Sequence, residues 1–325
     1  MASGKGQVRV AVLGVGYMGK FHAEKFAAMR DAGRAGVAAA ELVAVADADA
    51  ARAAEVAGSL GCAHVTDYRE LLGKVDAVCI AVPTERHYEV ARACLEAGVH
   101  ALVEKPLSRT LAEADELLAL AKAKGLVLQV GHLQRFNPAF QALAADAARP
   151  LFIDIERLAP FTVRGTEVDV ILDLMIHDLD LALALARAPV EQLSASGFRV
   201  LTGAIDIANA RIEFADGAIA SVSASRVSQE PVRKLRVFRH DGYVSADLQG
   251  QKLRYARKGA EGIEVTERGF ERTDELRAQA EDFLRAVASR SAPLVSGEQG
   301  RRVLALALDV ARLVDERLAR HAELQ

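Results

Sequence analysis

The chain has 325 residues, of which 51% are hydrophobic and 26% charged, and its 41 basic and 44 acidic residues give a formal charge of −3. This length exceeds the usual size of a single hydrophobic core, so two domains are expected. The charges nearly balance and no block of like charge stands out, which argues against partners such as nucleic acid or a membrane surface. Every long apolar stretch is interrupted before the ~18 residues that would indicate a spanning helix.

Two further features bear on the compartment. The N-terminus runs directly into a strand pattern and shows no apolar core of a signal peptide. The cysteines, Cys62, Cys79 and Cys94, are odd in number and form no pair with metal-ligand spacing. We therefore expect a reduced cytoplasmic enzyme without a metal site.

Short apolar runs alternate with longer helical patterns between residue 8 and about residue 130, which is typical of βαβ units and a parallel sheet. The pattern predicts an α/β Rossmann domain over residues 1–131. Strands are predicted at 8–14, 41–47, 77–82, 100–105 and 126–131, with helices at 19–29, 48–58, 87–97 and 111–124.

The pattern changes after residue 137, where strands follow one another and Asp216-Gly217 and Asp241-Gly242 mark hairpin turns. Strands are predicted at 151–159, 205–214, 218–227, 233–239, 243–248, 252–258 and 262–268, and helices at 169–188, 274–288 and 297–319. This predicts an α+β domain over 132–325 with an open, mainly antiparallel sheet. A sheet of this kind needs helices or another subunit to cover its faces, so the same domain is predicted to serve substrate binding and oligomerisation.

A glycine-rich turn follows the first predicted strand. Gly14, Gly16 and Gly19 give the spacing Gly-x-Gly-x-x-Gly, with Tyr17 and Met18 between the last two. In this pattern the first glycine permits the tight turn, the second lets the backbone approach a pyrophosphate, and the third lets the helix pack on the strand. The start of the helix then offers N–H groups and a positive dipole to phosphates. These five residues are predicted to bind a dinucleotide.

Asp47 ends the second predicted strand, 28 residues after Gly19. A carboxylate there can accept hydrogen bonds from the adenosine ribose and would repel a 2′-phosphate, so NAD is favoured over NADP. The alternative role for Asp47 is a helix N-cap, and Asp47 and Asp49 could divide these two roles.

Polar residues also follow the third and fourth predicted strands. Ligands of open α/β sheets bind at the carboxyl ends of strands, so a group at these two ends is predicted to line the cofactor: Val82, Pro83, Thr84, His87, Glu104 and Lys105. In the second half of the chain, Asp173 and His177 lie four residues apart on a predicted helix, and therefore on one face.

At these residues the chain resembles the Gfo/Idh/MocA family of sugar oxidoreductases. The family pattern is an N-terminal Gly-x-Gly-x-x-Gly, a central Glu-Lys-Pro and a downstream Asp-x-x-x-His, and all occur here in order, at 14–19, 104–106 and 173–177. The resemblance implies that Lys105 reaches the reacting hydroxyl and that Asp173 and His177 complete the site beside the nicotinamide.

Alcohol oxidation requires residues of the same types. A histidine can accept the hydroxyl proton near neutral pH, and a lysine ammonium can stabilise the developing alkoxide. We therefore expect His177 to be the base and Lys105 the polarising group, although the reverse holds if burial removes the proton from Lys105. Glu104 is expected to support its loop. His22 and the other histidines have no comparable context.

Residues 131–140 and 160–181 resemble the nucleotide-sugar branch of the family, which includes dehydrogenases that oxidise C3 of UDP-N-acetylglucosamine to a 3-keto sugar. Arg135, Asn137 and Arg164 could bind a diphosphate or sugar hydroxyls, although Arg135 and Asn137 could instead tie the domains together. The predicted function is therefore NAD-dependent oxidation of a ring hydroxyl of a nucleotide sugar, and the resemblance favours C3 of UDP-N-acetylglucosamine.

Two alternatives remain from the sequence. One is a dehydrogenase for a free sugar or inositol, in which the arginines would have no diphosphate to bind. The other is a non-catalytic NAD(H)-binding sensor, which would have no need of Lys105, Asp173 and His177. The open sheet and the family resemblance also predict a homodimer or homotetramer.

Overall fold

The computed structural model describes residues 7–30, 39–146, 148–162 and 168–321. It contains 14 strands in this part of the chain: β1 Gln7–Leu13, β2 Ala39–Ala46, β3 Ala63–Val65, β4 Ala77–Ile80, β5 His100–Val103, β6 Leu128–Val130, β7 Phe152–Leu158, β8 Val190–Phe198, β9 Ile207–Phe214, β10 Ile219–Ser225, β11 Val232–Arg239, β12 Gly242–Asp247, β13 Lys252–Lys258 and β14 Ile263–Gly269.

The α-helices of the described residues are α1 Tyr17–Ala27, α2 Ala50–Leu60, α3 His87–Glu96, α4 Leu111–Lys124, α5 Pro138–Ala145, α6 Ile176–Ala186, α7 Glu275–Ser289 and α8 Gly297–Arg320. Local chemistry fixes several ends. Asp49 caps α2 through the backbone N–H groups of Ala51 and Arg52, and Thr110 caps α4 in a reciprocal capping box with Glu113.

The chain forms two compact units. Unit 1 comprises Met1–Leu133 with Asp274–Arg302, and unit 2 comprises Gln134–Thr273 with Val303–Gln325. The chain first passes from unit 1 to unit 2 after Leu133, two residues beyond the predicted boundary after residue 131. The segment 274–302 differs from the prediction, which placed it in the second domain.

The reason is the apolar face of α7. Ala280, Phe283, Leu284 and Val287 are buried in the same cluster as Val10 and the other strand residues of unit 1. The sequence shows that this helix is amphipathic but does not show which core receives it.

Unit 1 is built on a six-stranded sheet in the order β3-β2-β1-β4-β5-β6, with every pair parallel. This is the doubly wound Rossmann order, in which the carboxyl ends of β1 and β4 lie side by side where the strand order reverses. The predicted Rossmann fold is confirmed. Ligands of such sheets bind outside these strand ends.

Unit 2 is built on an eight-stranded sheet in the order β14-β13-β12-β11-β7-β10-β9-β8. All pairs are antiparallel except β7 with β10. Apolar residues of α5, α6 and the second part of α8 share one core with the inward-facing side chains of this sheet. The predicted open, mainly antiparallel sheet is confirmed.

Two strands escaped the sequence analysis. β3 has only three residues, all exposed or half-buried, and β8 at the edge of the second sheet has a single buried residue. Neither strand therefore carries the run of apolar residues from which strands are recognised. No helix within the described residues is long and apolar enough to cross a membrane.

Candidate functional site

The glycine turn of unit 1 has the geometry of a phosphate loop. Gly14 has φ +82°, and a Cβ there would lie 2.7 Å from the Ala81 carbonyl oxygen. A Cβ on Gly19 would lie 1.8 Å from the Gly14 oxygen, whereas one on Gly16 would meet nothing within 4 Å. Gly14 and Gly19 are thus required by close backbone packing, and Gly16 faces open space at the start of α1.

Asp47 and Asp49 have separate roles. Asp49 caps α2, whereas the Asp47 carboxylate accepts hydrogen bonds from the backbone N–H of Val15 at 2.9 Å and from that of Asp49 at 2.9 Å. The Asp47 carboxylate is thereby held against the glycine turn. Arg52 lies 3.4 Å from Asp47 and 3.2 Å from Asp49, so two carboxylates face one guanidinium at this position.

The residues after β4 lie against the same turn. Val82 and Thr84 are half-buried and Pro83 is exposed. His87 is buried, with Nδ1 2.7 Å from the Pro106 carbonyl oxygen and Nε2 2.9 Å from that of Val82, and burial lowers its pKa. His87 therefore links the segments that follow β4 and β5. The prediction that it lines the cofactor does not fit this position, because its ring is buried.

Lys105 follows β5 and precedes Pro106 through a cis peptide bond. Its backbone N–H donates to Oε2 of Glu104 at 3.2 Å, and Oε1 of Glu104 lies 2.7 Å from Nε2 of His22. Glu104 thus supports the lysine loop, as expected. The sequence analysis missed His22, although one signal was present: it lies on the buried face of α1 with Gly19, Ala23 and Phe26.

Asp173 and His177 belong to unit 2. Asp173 lies in a π-helical turn, Ile171–Met175, that leads directly into α6, and both side chains are half-buried. Such turns occur often at functional sites. The next residue, Asp178, is buried and forms a bidentate pair with Arg157 of β7, with both N–O distances 2.7 Å. This pair fixes α6 against the sheet next to His177.

The residues predicted to bind the substrate differ in their surroundings. Arg135 pairs with buried Asp180 at 3.1 Å. Asn137 is fully buried: its oxygen caps α5 and its amide nitrogen donates to the Leu248 carbonyl oxygen. The structure gives Asn137 an internal role, so we withdraw it as a substrate ligand. Arg164 lies outside the described residues. Pro138 begins α5.

The residues of unit 1 fit a dinucleotide. Three features lie at the carboxyl edge of the sheet: the open space at Gly16, the uncapped start of α1 and the carboxylate of Asp47. A pyrophosphate requires close backbone approach and N–H donors, and an adenosine ribose requires a carboxylate acceptor. Gly14 to Gly19 and Asp47 would hold these groups, and Lys105 lies two strands away along the same edge.

Comparison with known proteins agrees with this geometry. Residues 8–132 match the profile of an oxidoreductase family with an NAD-binding Rossmann fold, and residues 156–245 match the GFO/IDH/MocA C-terminal domain. The chain is 41% identical to UDP-N-acetylglucosamine 3-dehydrogenase of Acidithiobacillus ferrooxidans over 96% of its length and 99% of that protein. The chain belongs to the Gfo/Idh/MocA family. The predicted family is thereby confirmed.

A solved structure of the Acidithiobacillus ferrooxidans enzyme is also similar, with a TM-score of 0.89 and 40% identity. The match covers 95% of this chain and 98% of the chain in that structure. The scyllo-inositol 2-dehydrogenase (NAD(+)) of Bacillus subtilis is 34% identical over 68% of each chain. Proteins similar to the chain thus include enzymes named for a nucleotide sugar and for an inositol.

Proposed function

We propose that this protein is an NAD-dependent dehydrogenase that oxidises the C3 hydroxyl of UDP-N-acetylglucosamine to a ketone. The observation that carries the proposal is the carboxyl edge of the unit 1 sheet, where the glycine turn, Asp47 and Lys105 lie at the ends of β1, β2 and β5. The similarity to the Acidithiobacillus ferrooxidans enzyme, at 41% identity over 96% of the chain, supports the choice of sugar.

NAD is the proposed cofactor, rather than NADP. A 2′-phosphate at the ribose position would approach Asp47 and Asp49, whose two negative charges outnumber the single positive charge of Arg52. Repulsion between phosphate and carboxylate disfavours NADP at this position.

Three side chains are proposed to act on the substrate. His177 accepts the hydroxyl proton, the ammonium of Lys105 stabilises the negative charge that develops on the oxygen, and Asp173 orients the imidazole or binds a neighbouring hydroxyl. Bound NAD would supply the acceptor for the hydride that leaves the sugar carbon. The proton and the hydride together account for the two electrons and two hydrogens that convert the alcohol to a ketone.

For the diphosphate we keep Arg164 as the proposed ligand, because Arg135 already has a buried carboxylate partner in Asp180. Arg164→Ala should raise KM for UDP-N-acetylglucosamine about 10-fold or more at nearly constant kcat, since a charge-assisted contact to a distant phosphate contributes to binding in both ground and transition states. An unchanged KM would remove Arg164 from the substrate site.

The substrate is tested by following NADH absorbance with UDP-N-acetylglucosamine, UDP-glucose, N-acetylglucosamine and myo-inositol. We expect turnover with the first, and UDP-N-acetylglucosamine deuterated at C3 should transfer its deuterium to the nicotinamide. Deuterium transferred only from another carbon would reject the C3 assignment. Turnover with inositol alone would favour the polyol dehydrogenase.

The catalytic assignment is tested with Lys105→Met and His177→Asn. Each should lower kcat at least about 100-fold while NAD affinity, measured by fluorescence titration, stays close to that of the unmodified protein. Lys74→Met, an exposed lysine outside the proposed site, serves as the control and should keep full activity. If NADH is neither formed nor consumed with any nucleotide sugar or polyol, the result favours a non-catalytic NAD(H)-binding sensor.

We also propose a cytoplasmic location and a homo-oligomeric assembly. Cys62, Cys79 and Cys94 are free thiols, which supports a reducing compartment. The exposed face of the unit 2 sheet supports assembly, because such faces are commonly covered by another subunit.

A further inference from the structure

A buried histidine lies behind the loop that carries Lys105. His22 of α1 is fully buried, and its Nε2 is 2.7 Å from Oε1 of Glu104, whose side chain is 14% exposed. His22 follows the glycine turn by three residues but lies on the buried face of the helix, away from the open space at Gly16. Phosphate binding therefore gives no reason for a histidine at this position.

The other oxygen of Glu104 fixes the start of the lysine loop. Oε2 accepts from the backbone N–H of Lys105 at 3.2 Å, and the backbone N–H of Glu104 donates to the Ile80 carbonyl oxygen at 2.9 Å. The carboxylate thus bridges the imidazole and the peptide from which the lysine side chain projects.

Gly131 leaves the space that this carboxylate occupies. A Cβ at Gly131 would lie 2.9 Å from Oε2 of Glu104 and 3.0 Å from its Cα. Gly131 follows β6, so three neighbouring elements, α1, β5 and the end of β6, shape the pocket of a single carboxylate.

The pKa values of His22 and Glu104 shift in the directions that favour an ion pair. Burial alone would lower the pKa of His22, but Cys79 and Glu104 raise it to about 10. Burial would raise the pKa of Glu104, but the hydrogen bond and charge of His22, with the nearby charge of Lys105, lower it. A buried ion pair is a poor source of stability compared with apolar packing, because both charges lose their hydration. Its presence behind Lys105 therefore calls for a role other than stability.

We propose that His22 is a positioning residue: through Glu104 it holds the Lys105 backbone, and thereby the lysine side chain, in the orientation that the reaction requires. The inference depends on the proposed function in one respect, the role of Lys105 in stabilising the negative charge on the substrate oxygen. Displacement of a catalytic group by about 1 Å can lower a rate about 100-fold, so the effect of losing His22 should appear in kcat.

Two variants separate the hydrogen bond from the charge. His22→Gln can still donate a hydrogen bond to Glu104, whereas His22→Leu cannot. We expect kcat to fall about 100-fold in the leucine variant and by an intermediate factor in the glutamine variant, with NAD affinity within about 3-fold of the original in both. Equal kcat in all three proteins would overturn the proposal.

His100→Gln is the matched control. His100 is also a buried histidine of unit 1, on the strand that precedes Glu104, and its Nδ1 accepts from the backbone N–H of Val127. Within the described residues, His100 forms no hydrogen bond or ion pair with Glu104, so its loss should leave kcat unchanged even if the protein melts at a lower temperature. An equal fall in kcat for this control would mean that the effect of His22 is general destabilisation.

A double-mutant cycle tests whether His22 acts through Glu104. In a Glu104→Gln background, His22→Gln should produce little further loss of kcat, because the link that transmits its effect is already cut. Losses that multiply would mean that His22 acts by another route and would reject the proposal.

A final measurement needs no substrate. The rate at which acetic anhydride acetylates Lys105, read by peptide mass spectrometry relative to Lys74, should change several-fold in His22→Leu and less in His22→Gln. An unchanged relative rate overturns the positioning role. Because this readout is independent of turnover, it stands even if no sugar is oxidised, a result that would reject the proposed function alone.

Discussion

At the scale of single residues, Asp47 and Asp49 illustrate how neighbouring carboxylates serve different purposes. The Asp47 carboxylate is held by two backbone N–H groups at the glycine turn, whereas that of Asp49 caps α2. We expect Asp47→Asn to weaken NAD binding about 10-fold and to reduce the preference for NAD over NADP, because the negative charge facing the ribose is lost.

Asp49→Asn supplies the control for Asp47. Asparagine is a good N-cap, so this variant should keep its stability, and its cofactor preference should shift less than that of Asp47→Asn because Asp47 is the carboxylate held against the glycine turn. Fluorescence titration with NAD and NADP measures both variants. If Asp47→Asn and Asp49→Asn shift the preference equally, the effect belongs to the overall charge and not to Asp47.

Asp206 of unit 2 is a buried carboxylate that several hydrogen bonds hold in its ionised form. Its Oδ2 accepts from the backbone N–H groups of Val200, Leu201 and Thr202 at 2.7–2.9 Å, and Oδ1 accepts from the Thr202 hydroxyl at 2.7 Å. Burial would raise the pKa of Asp206, but these hydrogen bonds lower it to about 2.

The sign of the pH dependence follows from this lowered pKa. The unfolded carboxyl binds a proton before the folded one does, so the stabilisation is complete above about pH 4 and is lost as the pH falls towards 2. Asp206→Asn should lower the free energy of unfolding by about 2 kcal/mol at pH 7, with the difference shrinking below pH 4.

Urea unfolding at several pH values measures this difference. Asp309→Asn, which removes a carboxylate that is 56% exposed, should change the free energy of unfolding by less than about 0.5 kcal/mol. A difference between Asp206→Asn and the original protein that stays constant down to pH 3 would contradict the assignment of the lowered pKa to Asp206.

At the scale of elements, the junction of β1 and α1 separates glycines that serve folding from one that serves binding. Gly19→Ala places a methyl group 1.8 Å from a backbone oxygen, whereas Gly16→Ala places it in open space. We expect the Gly19 variant to melt several degrees lower or to fail to fold, because backbone must move. The Gly16 variant should fold normally and lose NAD affinity at least about 10-fold, because its methyl group occupies the phosphate position.

Melting temperature and NAD titration together decide the outcome, and each variant is the control for the other. Normal NAD affinity in Gly16→Ala would show that the pyrophosphate does not approach this residue.

Sequence predicted these elements well where local chemistry determines them. The strand–glycine–helix pattern at Gly14 to Gly19 and the two Asp-Gly turns each depend on neighbouring residues, and the structure confirms the elements predicted around them. β8 could not be recognised, because an edge strand with little buried surface has no apolar signature. His22 was also missed, since its partner Glu104 is 82 residues away in the sequence.

At the scale of the whole molecule, the Rossmann fold and the family could be predicted because the motifs occur in a fixed sequence along the chain. The destination of α7 could not, because an amphipathic helix fits any complementary apolar surface. Its apolar residues join a core that includes residues of β1, α1 and β2, which lie more than 200 residues earlier in the chain. Local pattern therefore predicts which elements form, while long-range packing decides which unit contains them.

The assembly of the molecule is the last feature for which the fold makes a prediction. On the sheet of unit 2, Phe152, Phe238 and Tyr243 pair across β7, β11 and β12, with ring centroids 5.9 and 5.6 Å apart. They lie on the face opposite the buried residues Ile153, Val237 and Val244, which belong to the core with the helices. Phe238 is 37% exposed, so an aromatic cluster is presented to solvent on this face.

We expect the protein to sediment as a dimer or tetramer through this face, and Phe238→Glu to shift it towards the monomer, because a charge buried in an interface without a partner costs several kcal/mol. Leu294→Glu is the matched control: Leu294 is also 37% exposed but belongs to unit 1, so its replacement should leave the mass unchanged. Analytical ultracentrifugation over a range of concentrations measures all three proteins. A monomeric original protein would contradict the predicted assembly, and an oligomer that persists in Phe238→Glu would place the interface on another surface.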